Sequence, residues 1–178
     1  GVDGWTIVDC GIANDETKAL WNKIFESQLE GLPVLRVLVT HMHPDHVGLA
    51  QWLCEKWKAP LWISTADFLT AQWLSCKEGG AAIGQRAGGG GSADHFQKHG
   101  LTVPEDLEKI RARSNYYSNL VPGVPRQYRR MMHGEHILIG GRRWQVIMGY
   151  GHAPEHASLF CKDLEVLISG DMLLPRIS

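Results

Sequence analysis

Short runs of branched apolar residues alternate along this chain with stretches in which apolar positions recur every three or four residues, a rhythm that predicts strands and helices in turn. Trp5 to Cys10 reads as a strand closed by Gly11. From Asn14 or Asp15, either of which can cap a helix start, Leu20, Ile24 and Phe25 follow at helical spacing until Gly31 and Pro33 stop the run. Val34 to Thr40 (VLRVLVT) is nearly continuous in apolar residues, as expected for a strand covered on both faces. Leu49, Leu53 and Trp57 then mark a helix within Val47 to Lys58, and Leu61 to Ile63 is again extended.

Residues 64–132 depart from this pattern. They are helix-biased and predict an inserted helical subdomain, with the glycine stretch Gly88 to Gly91 as a flexible link and a helix start at Pro104 followed by EDLEKIRARSNYY. From His136 the chain is extended once more: HILIG and RRWQVIM form a hairpin around Gly140–Gly141, and SLFC and LEVLIS form a second around Lys162–Asp163. The whole, residues 1–178, reads as one domain carrying that insertion.

Composition narrows the class. The chain has 178 residues, 44% hydrophobic and 21% charged, which fits a globular domain and excludes a disordered or collagen-like chain. No stretch approaches the roughly 18 apolar residues of a membrane span, and no basic region precedes an apolar run at the start, so a soluble cytoplasmic domain is expected. With 18 Lys+Arg against 19 Asp+Glu, nothing global draws it to nucleic acid, and Arg126-Gln127-Tyr128-Arg129-Arg130 is the one basic cluster of note. Cys10, Cys54, Cys76 and Cys161 stand singly, without a C-x-x-C pair, and read as buried free thiols.

The histidines carry the chemistry. Thr40-His41-Met42-His43-Pro44-Asp45-His46 places four metal-competent side chains on a turn directly after a buried strand, where a rigid site can be held. Neutral imidazoles suit zinc, iron and related divalent ions, and a carboxylate among them can bind a second ion or orient a water. No G-x-S-x-G elbow offers a serine nucleophile instead.

This segment resembles the H-x-H-x-D-H signature of the metallo-β-lactamase-fold hydrolases. Asp9-Cys10-Gly11 is similar to that family's early Asp-x-Gly turn, Ala153-Pro154-Glu155-His156 to its Thr-Pro-Gly-His element, and Ser169-Gly170-Asp171 to its Gly-Asp element. The resemblance implies an α/β fold, an αββα sandwich incomplete at both ends with metals at one edge. It implies that His41, His43 and His156 hold a first ion, that Asp45 and His46 hold a second, and that Asp171 bridges them. His152, four residues before His156, is the alternative ligand, because Glu155 stands where the family has glycine. No histidine follows Asp171 to complete the second set, as one does in the family.

By the same resemblance the cofactor is zinc, one or two ions, with iron or manganese also compatible, and Asp45 orients a hydroxide made available near neutral pH by the bound metal. The implied activity is hydrolysis of an ester, thioester or related acyl group on a small molecule, as in hydroxyacylglutathione hydrolase relatives. A phosphodiesterase or nuclease, or a non-hydrolytic redox module on the same fold, is the alternative. Trp73, Tyr116, Tyr117 and a Leu107/Ile110 face in the insertion are candidates for an apolar lid.

Overall fold

A computed structural model of the chain describes residues 3–76, 89–113 and 116–175. Strands β1 (Trp5–Val8), β2 (Val34–Leu38), β3 (Leu61–Ile63) and β4 (Tyr128–Arg130) form a parallel sheet in that order. Strands β5 (His136–Ile139), β6 (Arg142–Gly149), β7 (His156–Cys161) and β8 (Val166–Ile168) form an antiparallel one. The helices are α1 (Asp15–Ser27), α2 (Pro44–Val47), α3 (Ala50–Trp57), α4 (Thr65–Ser75), α5 (Gly89–Lys98), α6 (Pro104–Arg111) and α7 (Tyr116–Leu120).

Side-chain alternation along β2 and β3 builds the layers. Val37 and Val39 with Leu61 and Ile63 face the helices, packing with Leu49 and Leu53 in one core. Leu38 and Trp62 point the other way and join Ile137, Val146, Met148 and Leu159 of the second sheet in another. Both faces of the parallel sheet are thus covered, as the apolar run Val34 to Thr40 requires.

Several predicted elements change at their ends. The first strand stops at Val8, because Asp9 has φ 61° and turns the chain out of the sheet. The helix expected over Val47 to Lys58 is the shorter α3, Ala50–Trp57, with Val47 ending the separate turn α2, since the Leu49 N–H bonds the Gly11 carbonyl rather than continuing α2. In the expected insertion, α5 starts at Gly89 within the stretch read as a flexible link, packing on α6 with Ala93 and Leu107 buried; Gly88 lies outside the described residues. The helix from Pro104 ends at Arg111, Ser114 and Asn115 lie outside the described residues, and the segment returns to the first sheet as β4. The Gly140–Gly141 turn forms as expected, both residues at positive φ (59° and 75°), the geometry of a two-residue hairpin turn. The second hairpin differs from expectation: β7 begins earlier, at His156, β8 covers only Val166–Ile168 of LEVLIS, and four residues rather than two connect them.

Parallel order gathers the C-terminal ends of β1, β2 and β3 at one edge, where Asp9, Thr40 and Ser64 follow the strands. The second sheet reaches the same edge through β7, whose Ala157 N–H bonds the Thr40 carbonyl at 2.8 Å.

Candidate metal centre

His41, fully buried, lies three residues past the end of β2. Its Nε2 lies 3.0 Å from Nδ1 of His43 and 3.1 Å from Nε2 of His152, and its Nδ1 lies 3.0 Å from the Thr40 hydroxyl. Asp171, in the 3-10 turn Gly170–Met172 after β8, brings Oδ2 to 3.3 Å from His152 Nε2 and 4.0 Å from His41 Nε2. Its other oxygen, Oδ1, lies 3.3 Å from Nε2 of His46, which is 3.5 Å from Oδ2 of Asp45. Two groups of donors therefore share one carboxylate: His41, His43, His152 and Asp171, and beside them Asp45, His46 and Asp171, with ligand atoms within 4.8 Å of one another in each.

Local structure explains the placement. Pro44 occupies the first turn of α2 and His43 caps it in an extended conformation, so the single helical turn that follows presents Asp45 and His46 beside His41. Asp9, swung out of β1 by its positive φ, accepts the Thr40 N–H at 2.8 Å, the Thr40 hydroxyl, and Nδ1 of His46 at 2.9 Å. That last bond leaves Nε2 of His46 facing Asp171. Gly170 has φ 50°, and a Cβ there would lie 2.5 Å from Nε2 of His156, so only glycine lets the turn carrying Asp171 close over that ring.

Burial, then the neighbouring imidazoles, hold His41 down to about 2. Burial and His152 also lower His43. His46 is raised: burial opposes its charge, but the hydrogen bond and charge of Asp9, with Asp45 and Asp171, outweigh it. Three imidazole nitrogens and a carboxylate oxygen within 4.8 Å of one another, with burial disfavouring the protonated form of two of the rings, are a donor set that suits a divalent cation.

Of the residues expected from sequence, His41, His43, Asp45, His46 and Asp171 come together. His156 is not among these grouped donor atoms, and His152, the alternative four residues earlier, is. The reason is the early start of β7: as its first residue, His156 is fully buried, stacked on His41 with ring centroids 4.7 Å apart, its Nε2 accepting the Asp171 N–H at 3.1 Å. His152 lies on the loop before it, which folds over the rim.

Of the residues named for a lid, Tyr116 and Trp73 are exposed, whereas Tyr117 and Leu107 are engaged by the fold. Tyr117 donates its hydroxyl to the Met42 carbonyl at 2.5 Å, Trp73 lines a cleft with Leu69, Gln72 and Val124, and Leu107 is buried in α6. In the basic cluster, Arg129 lies over the Trp62 ring at 4.1 Å and pairs with Glu135 at 3.3 Å. Cys10, Cys54 and Cys161 are buried free thiols as expected, whereas Cys76 is exposed. Two contributors went unnoticed in the sequence, Thr40 and Asp67; the pattern Ser64-x-x-Asp67 signals only a helix start.

Known proteins share sequence and fold with this chain. The chain is 26% identical over 144 residues to the probable metallo-hydrolase YqgX of Bacillus subtilis (strain 168), covering 81% of this chain and 52% of that one. A crystal structure of a beta-lactamase domain protein from Burkholderia ambifaria superposes with a TM-score of 0.84 at 49% identity, over 98% of this chain and 47% of the other. A metallo-beta-lactamase family protein from Thermus thermophilus gives 0.69 at 26% identity, over 96% and 52%. The chain thus spans about half the length of the relatives it matches. The family model described as the metallo-beta-lactamase superfamily matches residues 1–178, and with the paired donor sets at the sandwich edge it establishes that the chain belongs to that superfamily.

Proposed function

We propose that the chain forms the metal-binding part of a hydrolase that cleaves an ester, thioester or related acyl bond in a small molecule, with zinc as its resident ion. The observation that carries this reading is the sharing of Asp171 between two donor sets, one oxygen turned to each. His41, His43 and His152 with Asp171 would hold one ion, and Asp45 and His46 with Asp171 a second. Mixed imidazole and carboxylate donors suit zinc, although iron and manganese accept the same set.

A bound divalent cation supplies the acidity that makes a water nucleophilic near neutral pH and polarises the bond under attack. The chain does the rest. Asp45, its side chain 60% exposed and 3.5 Å from His46, is the group that orients the attacking water and takes its proton. Asp9 fixes the ring of His46 through Nδ1. Cys10, close by in sequence, is no rival nucleophile, because burial and then the charge of Asp9 push its thiol well above the usual range. Engagement of Arg129 with Trp62 and Glu135 favours an acyl over a phosphodiester substrate, since it removes a cation from the basic cluster.

The test is a substrate panel of thioesters, lactones, phosphodiesters and a cephalosporin reporter, run with elemental analysis before and after chelation. Acyl substrates should rank first and lose turnover with the metal. Protein prepared without chelator that holds no divalent ion would overturn the reading.

A further inference from the structure

The geometry points to Asp67 as a positioning residue that fixes the spacing between the two loops carrying the proposed ligands of the first ion, the His41–His43 loop and the His152 loop. This rests on the function proposed above and adds a residue outside the donor set. Asp67 is fully buried in the first turn of α4. Its Oδ1 accepts the N–H of Met42, which sits between His41 and His43, at 2.8 Å. Its Oδ2 accepts the N–H of Glu155, three residues past His152, at 2.8 Å, and the Ser64 hydroxyl at 3.0 Å.

A carboxylate at this helix position that served only the cap would reach back to the N–H of the capping residue. Asp67 instead spends one oxygen on each loop, while Ser64 caps the helix by accepting the Asp67 N–H at 3.2 Å. Glu155 strengthens the link from its side, its Oε2 accepting the Ala66 N–H at 3.4 Å. Tyr117 grips the carbonyl of the same Met42, so both main-chain polar groups of that residue are held by side chains from residues 64–132. Breaking one bond of Asp67 therefore frees one loop relative to the other without removing any donor atom.

Asp67→Asn does this with minimal change in shape. Its amide keeps one acceptor oxygen and turns an NH2 toward an N–H that needs an acceptor, so either Met42 or Glu155 loses its partner. Zinc affinity of the first site, read by competition with a chromogenic chelator, should fall about 10- to 100-fold, the range seen when supports of metal ligands are removed. Cobalt substitution should show an altered ligand-field spectrum. A merely structural role would lower the unfolding midpoint of the metal-free protein and leave both readouts of its folded fraction unchanged, and that result would overturn the proposal.

Amide hydrogen exchange on the metal-free wild-type protein decides the matter even if the variant does not fold or no ion binds. The Met42 and Glu155 N–H groups should both be protected, and exchange of either at the rate of a free amide would refute the bridge. Failure of the wild-type protein to bind zinc, with those two amides protected, would remove the hydrolase reading while leaving Asp67 as the spacer of the loops.

Discussion

His152 and His156 stand four residues apart, and the structure gives them separable roles that a pair of alanine variants can read. His152 is 31% exposed at its side chain and aims Nε2 at the donor cluster. Its removal should change the stability of the metal-free protein by no more than about 1 kcal/mol, the ordinary range for a partly exposed site. Zinc affinity should fall by more than about 100-fold, beyond what loss of an outer support costs. His156 inverts both expectations. Its truncation leaves the Asp171 N–H without an acceptor, costing about 1–3 kcal/mol, and empties a fully buried site, adding about 2 kcal/mol or more. The sum, roughly 3–5 kcal/mol, corresponds to a fall in Tm of at least about 6 °C for a chain of this length. Urea and thermal unfolding in chelator would give the stabilities, and elemental analysis with a zinc titration the affinities. Loss of the ion from His156→Ala at unchanged stability, with His152→Ala still loaded, would refute the assignment.

Asp45→Asn should retain zinc at the first set and lose turnover by roughly 10²- to 10⁴-fold, the usual worth of a positioned acid or base, as measured by kcat on the best acyl substrate. Asp9→Ala should weaken the ion held by Asp45, His46 and Asp171 about 10- to 100-fold while the first set stays loaded, as a two-site titration would show. Gly170→Ala forces a Cβ into His156 from a positive φ and should destabilise the fold by about 2–4 kcal/mol in urea melts. For the metal-free protein, His41, His43 and His156 have native values below 6.5 and stay neutral where the unfolded chain takes up protons, so stability should fall as pH drops below about 6.5, until their native values are reached. His46, raised, contributes in the opposite sense, stabilising below its unfolded value and losing that contribution as pH rises through its native one, and the three outweigh it. Chelated protein as stable at pH 5 as at pH 7 would contradict this balance.

The layers and most of the donor set were legible in the sequence because both depend on short-range pattern. The nearly continuous apolar run of Val34 to Thr40 encodes two covered faces, and the spacing of His41, His43, Asp45 and His46 encodes a turn that brings them together. The choice between His152 and His156 was not legible, since it depends on the residue at which β7 begins, set by pairing with β6 from Gly149 onward. Asp67 and Tyr117 were hidden for another reason: their partners are main-chain groups of Met42, whose N–H and carbonyl leave no mark in side-chain chemistry. Tyr117 therefore read as a lid residue, and nothing in the pattern singled out Asp67.

The bonds that hold the His41–His46 loop also carry a consequence for how the chain acquires its site. Thr40 is joined to Asp9 across 31 residues, Met42 to Asp67 across 25 and to Tyr117 across 75, and His41 to His152 across 111. Each closure carries a loop entropy cost that is recovered only once the partner segment has folded. The loop with the densest chemistry is thus tied down by contacts distant in sequence, and it should be among the last regions to become ordered during refolding. An ion that bound the unfolded chain through the closely spaced His41, His43 and His46 would meet them before Asp171 is in reach, so the order of metal addition and folding should govern the yield of correctly loaded protein.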